Sequence, residues 1–573
     1  MKKLRSLNNK WFWLAAILLT TIVVYFPSLK FDILNYDDNR LITNNELIKN
    51  ISFSNLKYYF FNYYDNIYQP FILMSWSFDY YIDGLNPFVF HTHNLILHLI
   101  NISLVFLFVQ LLFEDKRISI ITAFLFAIQA MHIESVAWIS ERKDLIYSMY
   151  FLLSLVMYVK YVKTSQIRYF IFSLVVFLFS LLSKGLAVAL APTIIAIDFF
   201  LRRNIFSKKV IIEKIPFLVL AIIFSIVGWI GFVNLNKLTE FSFFTKILAT
   251  GYVFFNYLTK LLYPYGLSAL HPYPVKIDNY YSFEFYILPI LSLFIIIGLF
   301  FLAKKNRQLA FGIIFFVINI LLALRLSQVT TVGFLMADRY TYISSIGIFV
   351  SISILFIYLL KRYAKLKIPI YSLLFVYFVL QIEISSQQIN VWKNSISLWD
   401  SVIEKYPDKL WSYTKLGMSK INNGDFKGAI QDYTRAINQN QEYDKAYLLR
   451  ADAYLQSNRW NSAIKDYTRV IELVPDYDKA YVKRGIAYGV LEYYGKALQD
   501  FNSAIRINPD YAMAYVQRAN LKSQYGYYNS ALHDYNSALS IEPELITAKK
   551  MKEKVMVLHE NNSNFASFFN MAN

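Results

Sequence analysis

Two adjacent carboxylates, Asp37 and Asp38, follow the first long apolar segment of the 573-residue chain. A carboxylate beside an acceptor hydroxyl can take its proton as a general base, and a second one can orient the acceptor or ligate a metal. The alternative is a solvated pair that caps a local turn, which is the commoner explanation of an arbitrary Asp-Asp pair. The position of this pair favours a catalytic role, because both carboxylates emerge at the far face of a bilayer if the apolar segment spans it.

Other ionisable side chains occupy turns that the same reasoning places at that face. The residues singled out as donor-binding or acceptor-binding are His132, Glu134, Arg142, Lys143, Asp144, Lys184 and Arg339. A phosphate-carrying lipid at the outer leaflet needs cationic partners near its headgroup, and Lys184 and Arg339 suit that purpose best. Each of these residues also has a simpler explanation, as part of a salt-bridged turn or as a headgroup anchor.

The remaining motifs exclude several chemistries. His91 and His93 are two residues apart and face different sides of a helix, so with His98 they give no zinc spacing. The chain has no cysteine, which excludes disulfides and thiolate metal sites. No phosphate-binding glycine motif occurs, so direct use of a nucleotide is not expected. We therefore expect no metal site, and leave open a divalent metal at the acidic pair.

The composition is that of a membrane protein, with 56% hydrophobic and 18% aromatic residues. Apolar runs of about 17 to 25 residues are long enough to cross the roughly 30 Å hydrocarbon core of a bilayer. Such runs are found near 11–28, 91–113, 118–139, 145–163, 168–183, 185–201, 215–234, 284–303, 309–326, 340–360 and 368–385. The sequence therefore predicts an all-α membrane domain of about eleven spans, the first of them a retained helix.

The formal net charge of +18 does not indicate nucleic-acid binding, because the basic residues cluster in alternate short loops. The basic loops are 2–10, 116–117, 160–168, 202–214, 304–307 and 361–367. This is the positive-inside pattern, so the N-terminus is expected in the cytoplasm and the C-terminal part outside the inner membrane. The same pattern makes 246–263 a helix at the outer surface. The long loop 29–90 is also outside, with aromatic-rich surface helices near 52–63 and 70–82.

An internal period of 34 residues begins past the last apolar run. Alanine, tyrosine, aspartate and proline recur at this interval, for example at Ala429, Ala463, Ala497 and Ala531 and at Pro475, Pro509 and Pro543. This period is the tetratricopeptide signature, whose stacked helix pairs form a concave groove of partner size. The predicted organisation is a membrane domain at 1–385, a connecting segment at 386–407, repeats with a capping helix at 408–560, and a disordered tail at 561–573.

The ordered set of motifs resembles the transmembrane and tetratricopeptide-repeat-containing O-mannosyltransferases and their bacterial relatives, which are GT-C glycosyltransferases. The motifs that carry the resemblance are Tyr36-Asp37-Asp38, Tyr68-Gln69-Pro70, His132 to Asp144, Ser183-Lys184, Tyr257-Leu258 with Pro264 and Leu267, and Ala337-Asp338-Arg339-Tyr340 with Tyr342. The resemblance implies a GT-C type enzyme that moves a sugar, mannose in the eukaryotic members, from a polyprenyl-phosphate carrier to a protein hydroxyl at the outer face.

On this resemblance, Asp37 and Asp38 form the acidic motif and one of them, by preference Asp37, is the base. The expected partners are the lipid bilayer, the lipid-linked sugar donor and a polypeptide held by the repeats. Two alternatives stay open: a GT-C transferase that acts on a glycan or lipid, and a non-catalytic scaffold that anchors a repeat domain for envelope assembly.

Overall fold

The computed structural model describes residues 2–233, 242–274, 280–324 and 334–571, with side chains at 10–231, 242–274, 280–324 and 334–560. Contacts divide the chain into two compact units, Met1–Lys405 and Tyr406–Asn573. The first unit contains the apolar helices and the second contains the repeats.

The described part of the first unit is helical apart from loops and one short antiparallel strand pair. Its helices are α1 Lys2–Tyr25, α2 Phe53–Phe61, α3 Pro70–Asp83, α4 Pro87–Phe113, α5 Lys116–Ile128, α6 Ile133–Ala137, α7 Arg142–Thr164, α8 Ile167–Leu181, α9 Leu190–Phe200, α10 Lys208–Val233, α11 Phe243–Leu262, α12 Phe283–Lys305, α13 Arg307–Leu321, α14 Ser345–Arg362, α15 Lys367–Ile389 and α16 Ser395–Lys405. The strands are β1 His271–Pro272 and β2 Phe334–Met336.

All eleven apolar runs are found as helices, but not all of them are full-length straight spans. Among the described residues, eight helices are long and apolar enough to cross a bilayer, and the count is nine if one bent pair is a single span. The runs at 168–183 and 185–201 form shorter apolar helices. The chain is therefore an all-α, multi-pass membrane protein in its first unit, as predicted.

The expected span at 118–139 is corrected to a helix pair bent by 53°. The bend falls at Gln129, whose backbone is extended (ψ 121°) between the end of α5 and a 3₁₀ turn at Ala130–His132. The Gln129 side chain stabilises the break, because its amide donates to the Leu261 carbonyl at 3.0 Å. The bend matters for function because it redirects the polar segment that follows into the protein.

The long loop 29–90 contains two short helices, α2 and α3, near the positions that the sequence predicts. Ser52 caps α2 by accepting a hydrogen bond from the Asn55 amide at 3.1 Å, and proline opens α3 at its first position. Trp76 of α3 is fully buried with Leu41 and Ile42 from the acidic loop region, so these helices fix that loop against the core. The segment 246–263 also forms a helix, α11, which is not among the helices that qualify as spans.

The second unit consists of helix pairs at the expected period. They are α17 Leu410–Asn422 with α18 Phe426–Gln439, α19 Asp444–Gln456 with α20 Trp460–Leu473, α21 Asp478–Val490 with α22 Tyr494–Ile507, and α23 Ala512–Gln524 with α24 Tyr528–Ile541, followed by α25 Ile546–Met571. The periodic alanines are fully buried where the helices cross, which confirms the tetratricopeptide solenoid.

The observed helix ends and the division into two units refine the predicted domain boundaries. The connecting segment 386–407 contributes the end of α15 and all of α16, and both lie in the first unit. The last helix continues to Met571, whereas a disordered tail was expected at 561–573. The side chains of that tail and residues 572–573 lie outside the described residues, so disorder there stays a prediction.

Neighbouring repeats are joined by an arginine that the sequence period alone did not reveal. Arg484 binds the buried Asp500 carboxylate of its own repeat through two hydrogen bonds of 2.9 and 2.8 Å, and it donates to Thr468 of the preceding repeat at 3.0 Å. The same arrangement recurs at Arg450 and Arg518. Each arginine thus ties three helices together.

We expect Arg484→Ala to destabilise its repeat by about 2 to 4 kcal/mol, because it leaves the Asp500 carboxylate buried without its cation. Arg469→Ala is the matched control: both side chains of its pair with Glu472 are exposed to solvent, and we expect little change in stability. Amide hydrogen exchange of α20, α21 and α22 in the full chain measures both effects. Equal exchange rates in the two variants would contradict this role of Arg484.

Candidate functional site

Asp37 and Asp38 lie in different environments. Asp38 is fully buried and accepts from the Trp138 indole at 2.9 Å, the Ser140 amide at 3.1 Å, the Ser140 hydroxyl and the Leu34 amide at 3.0 Å. Burial raises the pKa of Asp38 to about 6, while these donors oppose the rise. Asp38 therefore acts as a clamp between its own loop and the Trp138–Ser140 segment.

Asp37, in contrast, is open to a substrate. Its side chain is 34% exposed and lies 3.3 Å from Arg40, which also contacts Asp65 at 2.9 Å. Burial raises the pKa of Asp65, against the lowering effect of Arg40 and, more weakly, of Lys143. Asp37 thus stands at the rim of a charged region and is the better placed of the two carboxylates to receive a proton.

A buried charge cluster lies behind this rim, on the turns that follow the bent helix pair. Arg339, on the 3₁₀ turn Asp338–Thr341, forms an ion pair with Glu134, and its backbone amide donates to the same carboxylate at 3.0 Å. The Arg339 Nε atom lies 3.1 Å from Glu141. Two carboxylates therefore share one guanidinium.

The other two cations of the cluster approach from different segments. Lys184 lies 2.5 Å from Asp144 and 3.7 Å from Glu141, and Lys143 lies 3.0 Å from Glu141. Burial lowers the pKa of Lys184, but the Asp144 and Glu141 carboxylates outweigh it and raise the pKa above its usual value. Lys184 is therefore held as a cation.

Aromatic rings connect the acidic loop to this cluster. Tyr36 stacks on Trp138 with ring centroids 4.6 Å apart, and the Arg339 guanidinium lies 5.4 Å from the Trp138 ring centre. The edge of Tyr36 meets Trp399 of α16, whose indole donates to the Asn35 side chain at 2.6 Å. The segment just before the repeats is thus part of the wall of the site.

Arg142 belongs to a second cluster. It is 1% exposed, pairs with the buried Asp79, and donates to the Asn94 side chain at 2.7 Å and to the Phe90 carbonyl at 2.8 Å. Asp79 also contacts His93. Within the described side chains these partners occupy Arg142 fully, so it supports the packing of α3, α4 and α7 and is not joined to Arg339 or Lys184.

His132 also lies apart from the charge cluster. It is fully buried, with Nδ1 2.9 Å from the Phe126 carbonyl oxygen and Nε2 3.1 Å from the Ser345 hydroxyl. Its ring packs against Tyr342 at 4.7 Å. Both ring nitrogens are occupied within an aromatic core, which differs from the donor-binding or acceptor-binding role that its sequence position suggested.

The structure brings together Glu134, Lys143, Asp144, Lys184 and Arg339. Of the acidic pair, Asp37 is partly exposed and Asp38 is buried against Trp138 and Ser140. Sequence reasoning missed Glu141, which contacts three cations, and Asp79, which pairs with Arg142. Glu141 had a signal, since it is one of the charged residues of the 132–144 turn. Among the described residues, no group of three or more His, Cys, Asp or Glu side chains has metal-binding geometry.

A cleft of about 190 Å³ is lined by residues of the 63–68 segment and of α10. Its lining is mostly aromatic and aliphatic, including Tyr63, Tyr68 and Phe224, and it includes Gly185, the residue that follows Lys184 in the chain. Tyr63 also donates to the Val227 carbonyl at 2.9 Å. An apolar cleft whose wall adjoins a lysine in the sequence suits the junction of a phosphate and a hydrocarbon chain.

The outer loop approaches α10 closely at Gly231, where a Cβ atom would lie 2.5 Å from the Asn66 carbonyl oxygen. We expect Gly231→Ala to push the 63–68 segment outwards, at a cost of about 1 to 3 kcal/mol, and to speed its proteolytic cleavage. Gly228→Ala, one turn earlier, is the control, because an added Cβ there meets no atom within 4 Å. Similar cleavage rates in the two variants would show that Gly231 does not set this contact.

The chain joins a multi-pass helical unit, with a buried ionic cluster beneath an acidic loop, to a tetratricopeptide solenoid. Residues 73–232 match the family described as "Dolichyl-phosphate-mannose-protein mannosyltransferase", and residues 412–443, 451–490 and 478–511 match tetratricopeptide families.

Curated proteins are similar to parts of the chain. The chain is 35% identical to mouse "Protein O-mannosyl-transferase TMTC1" over 16% of its own length and 10% of the relative's. It is 31% identical to human "Protein O-mannosyl-transferase TMTC2" over 25% and 18%, and 25% identical to "Protein O-mannosyl-transferase F38B6.6" of Caenorhabditis elegans over 66% and 54%. The chain is therefore a relative of the transmembrane and tetratricopeptide-repeat O-mannosyltransferases, and the resemblance carried by its motifs is confirmed.

The matches cover limited parts of these proteins: the chain spans 10% of the first relative's length and about half of the nematode protein's. Among solved structures, the crystal structure of MamA is similar to part of this chain. The match covers 26% of this chain and 88% of the MamA chain, at 23% sequence identity and a TM-score of 0.25.

Proposed function

We propose that this protein transfers a sugar, mannose in the first instance, from a polyprenyl-phosphate carrier to serine or threonine hydroxyls at the outer face of the membrane. The observation that carries the proposal is that a partly exposed carboxylate, Asp37, follows Tyr36, whose ring stacks on Trp138 beside Arg339 of the buried charge cluster. The same protein region thus offers a proton acceptor and a phosphate partner.

The proposed reaction is a single displacement. The acceptor hydroxyl gives its proton to the Asp37 carboxylate while its oxygen attacks the anomeric carbon, which inverts the configuration there. The bond to the lipid phosphate breaks, and Lys184 and Arg339 stabilise the charge that grows on it. Asp38 takes no proton in this scheme; it holds the loop and Trp138 in place.

The lipid part of the donor has a natural place in the apolar cleft. This cleft is lined by tyrosine and phenylalanine rings and by Gly185, the residue that follows Lys184, and its 190 Å³ would take the first isoprenoid units of the chain. We propose that the repeats hold the polypeptide acceptor, since stacked helix pairs present a concave groove of peptide size. We also propose that the N-terminus is cytoplasmic and the repeats lie outside, as the charge pattern indicates.

Mass spectrometry of envelope glycopeptides tests this function in a strain that lacks the gene and is complemented with the wild-type protein. We expect hexose on serine or threonine peptides to disappear in the deletion strain and to return on complementation. Unchanged glycopeptides with an altered glycan or glycolipid would favour a different acceptor. Unchanged sugars in every fraction would favour the scaffold.

A further inference from the structure

Glu141 is a buried carboxylate on which three cations converge. Its side chain is 1% exposed and lies 3.0 Å from Lys143, 3.1 Å from the Arg339 Nε atom and 3.7 Å from Lys184. The three cations come from segments far apart in the chain. Converging lysine and arginine side chains are the usual partners of a phosphate group.

With all six of its groups ionised, the cluster has no spare positive charge. Three cations, Lys143, Lys184 and Arg339, face three carboxylates, Glu134, Glu141 and Asp144. A sugar phosphodiester carries one negative charge, and a second develops on the phosphate as the sugar leaves. A neutral pocket cannot stabilise this anion well in a low-dielectric site, so one carboxylate has to give way.

The three carboxylates differ in how firmly they are held. Glu134 also accepts from the Arg339 backbone amide, and Asp144 also accepts from the Ser135 hydroxyl at 3.2 Å. The two oxygens of Glu141 meet only cationic side chains among the residues described, and neither has a well-directed hydrogen bond. Glu141 can therefore leave with the smallest loss of hydrogen bonds.

We propose that Glu141 occupies the donor's phosphate position in the donor-free protein, and that the incoming phosphate displaces it. This inference rests on the proposed function for the identity of the anion. Glu141 is then a positioning residue: it keeps Lys143, Lys184 and Arg339 aimed at one point and prevents their mutual repulsion. Anions that bind the three cations more weakly than Glu141 does cannot displace it.

Binding of inorganic phosphate to the full chain in detergent tests the proposal without any transfer reaction. We expect Glu141→Gln to bind phosphate at least about tenfold more tightly than wild type, since it releases three cations from their counter-ion. Asp144→Asn is the matched control, because it removes the same charge from the same cluster and should strengthen phosphate binding much less. An equal gain in both variants, or no gain in Glu141→Gln, would overturn the proposal.

Stability provides a second readout if Glu141→Gln folds poorly. Unpaired cations should lower its thermal midpoint, and phosphate should restore the midpoint by binding the folded state. Sodium chloride at matched ionic strength controls for screening. Restoration by both salts alike would mean that Glu141 is only a structural ion-pair partner. Phosphate-specific restoration without sugar transfer would leave this inference intact and remove the proposed function.

Discussion

Asp37→Asn should reduce sugar transfer by about 10² to 10⁴-fold, the usual contribution of a general base. The amount of folded protein should stay close to wild type. Asp37 is partly exposed, and its ion pair with Arg40 is a surface contact that contributes little to stability. An amide of the same shape can still orient a hydroxyl but cannot take its proton.

Asp38→Asn should act through folding instead. Its two oxygens accept from four donors, and an asparagine would turn an NH₂ group towards at least one of them. A buried donor without an acceptor costs about 1 to 3 kcal/mol, so loss of folded protein and loss of activity should go together. The contrast between the two variants separates the base from the clamp.

The rate of sugar transfer is measured with the purified full chain in liposomes, with a mannosyl polyprenyl phosphate as donor and a serine-containing polypeptide as acceptor. Thermal unfolding of the same variants measures their stability. Asp65→Asn is the matched control, since it removes a carboxylate from the same Arg40 without touching the acceptor and should change the rate only a few-fold. Wild-type rates in Asp37→Asn would remove this residue from the mechanism. A normal midpoint with no activity in Asp38→Asn would make Asp38 the base.

Local patterns predicted those features that depend on neighbouring residues in the chain. The 34-residue period identified the repeats because each helix pair packs against the next, and the buried Ala429 and Ala463 occupy the same crossing in successive pairs. Apolar runs identified the spans for a similar reason. The bend at Gln129 was missed because its cause is a hydrogen bond to Leu261, a residue 132 positions away.

Side-chain partners in the site were harder to predict, since they come from distant segments. Arg142 and Lys143 are adjacent, yet one pairs with Asp79 and the other with Glu141. Successive residues at the start of a helix point about 100° apart, so charge type alone could not assign them. His132 lies in the aromatic core, where its partners Tyr342 and Ser345 also come from a distant segment. Glu141 gained its importance only when Arg339 was brought beside it.

Arg339→Met should unfold the site. It leaves the Glu134 and Glu141 carboxylates, both at most 3% exposed, without the guanidinium that they share. Removing one partner of a buried ion pair costs about 3 to 5 kcal/mol, so we expect a large drop in folded protein in membranes. Loss of activity in this variant alone would therefore say nothing about chemistry.

The double variant Glu134→Gln with Arg339→Met separates the two roles of Arg339. Removing both partners of a buried pair is close to neutral for stability, and Glu141 keeps Lys143 and Lys184, so folded protein should recover part of the way towards wild type. Sugar transfer should not recover, because the phosphate leaving group has lost its guanidinium. Thermal unfolding and the liposome rate, measured on the same preparations with Glu134→Gln as the control, give both quantities. A double variant that regains the rate of Glu134→Gln would mean that Arg339 shapes the site without contacting the donor, and Lys184 with Lys143 would then be the phosphate partners.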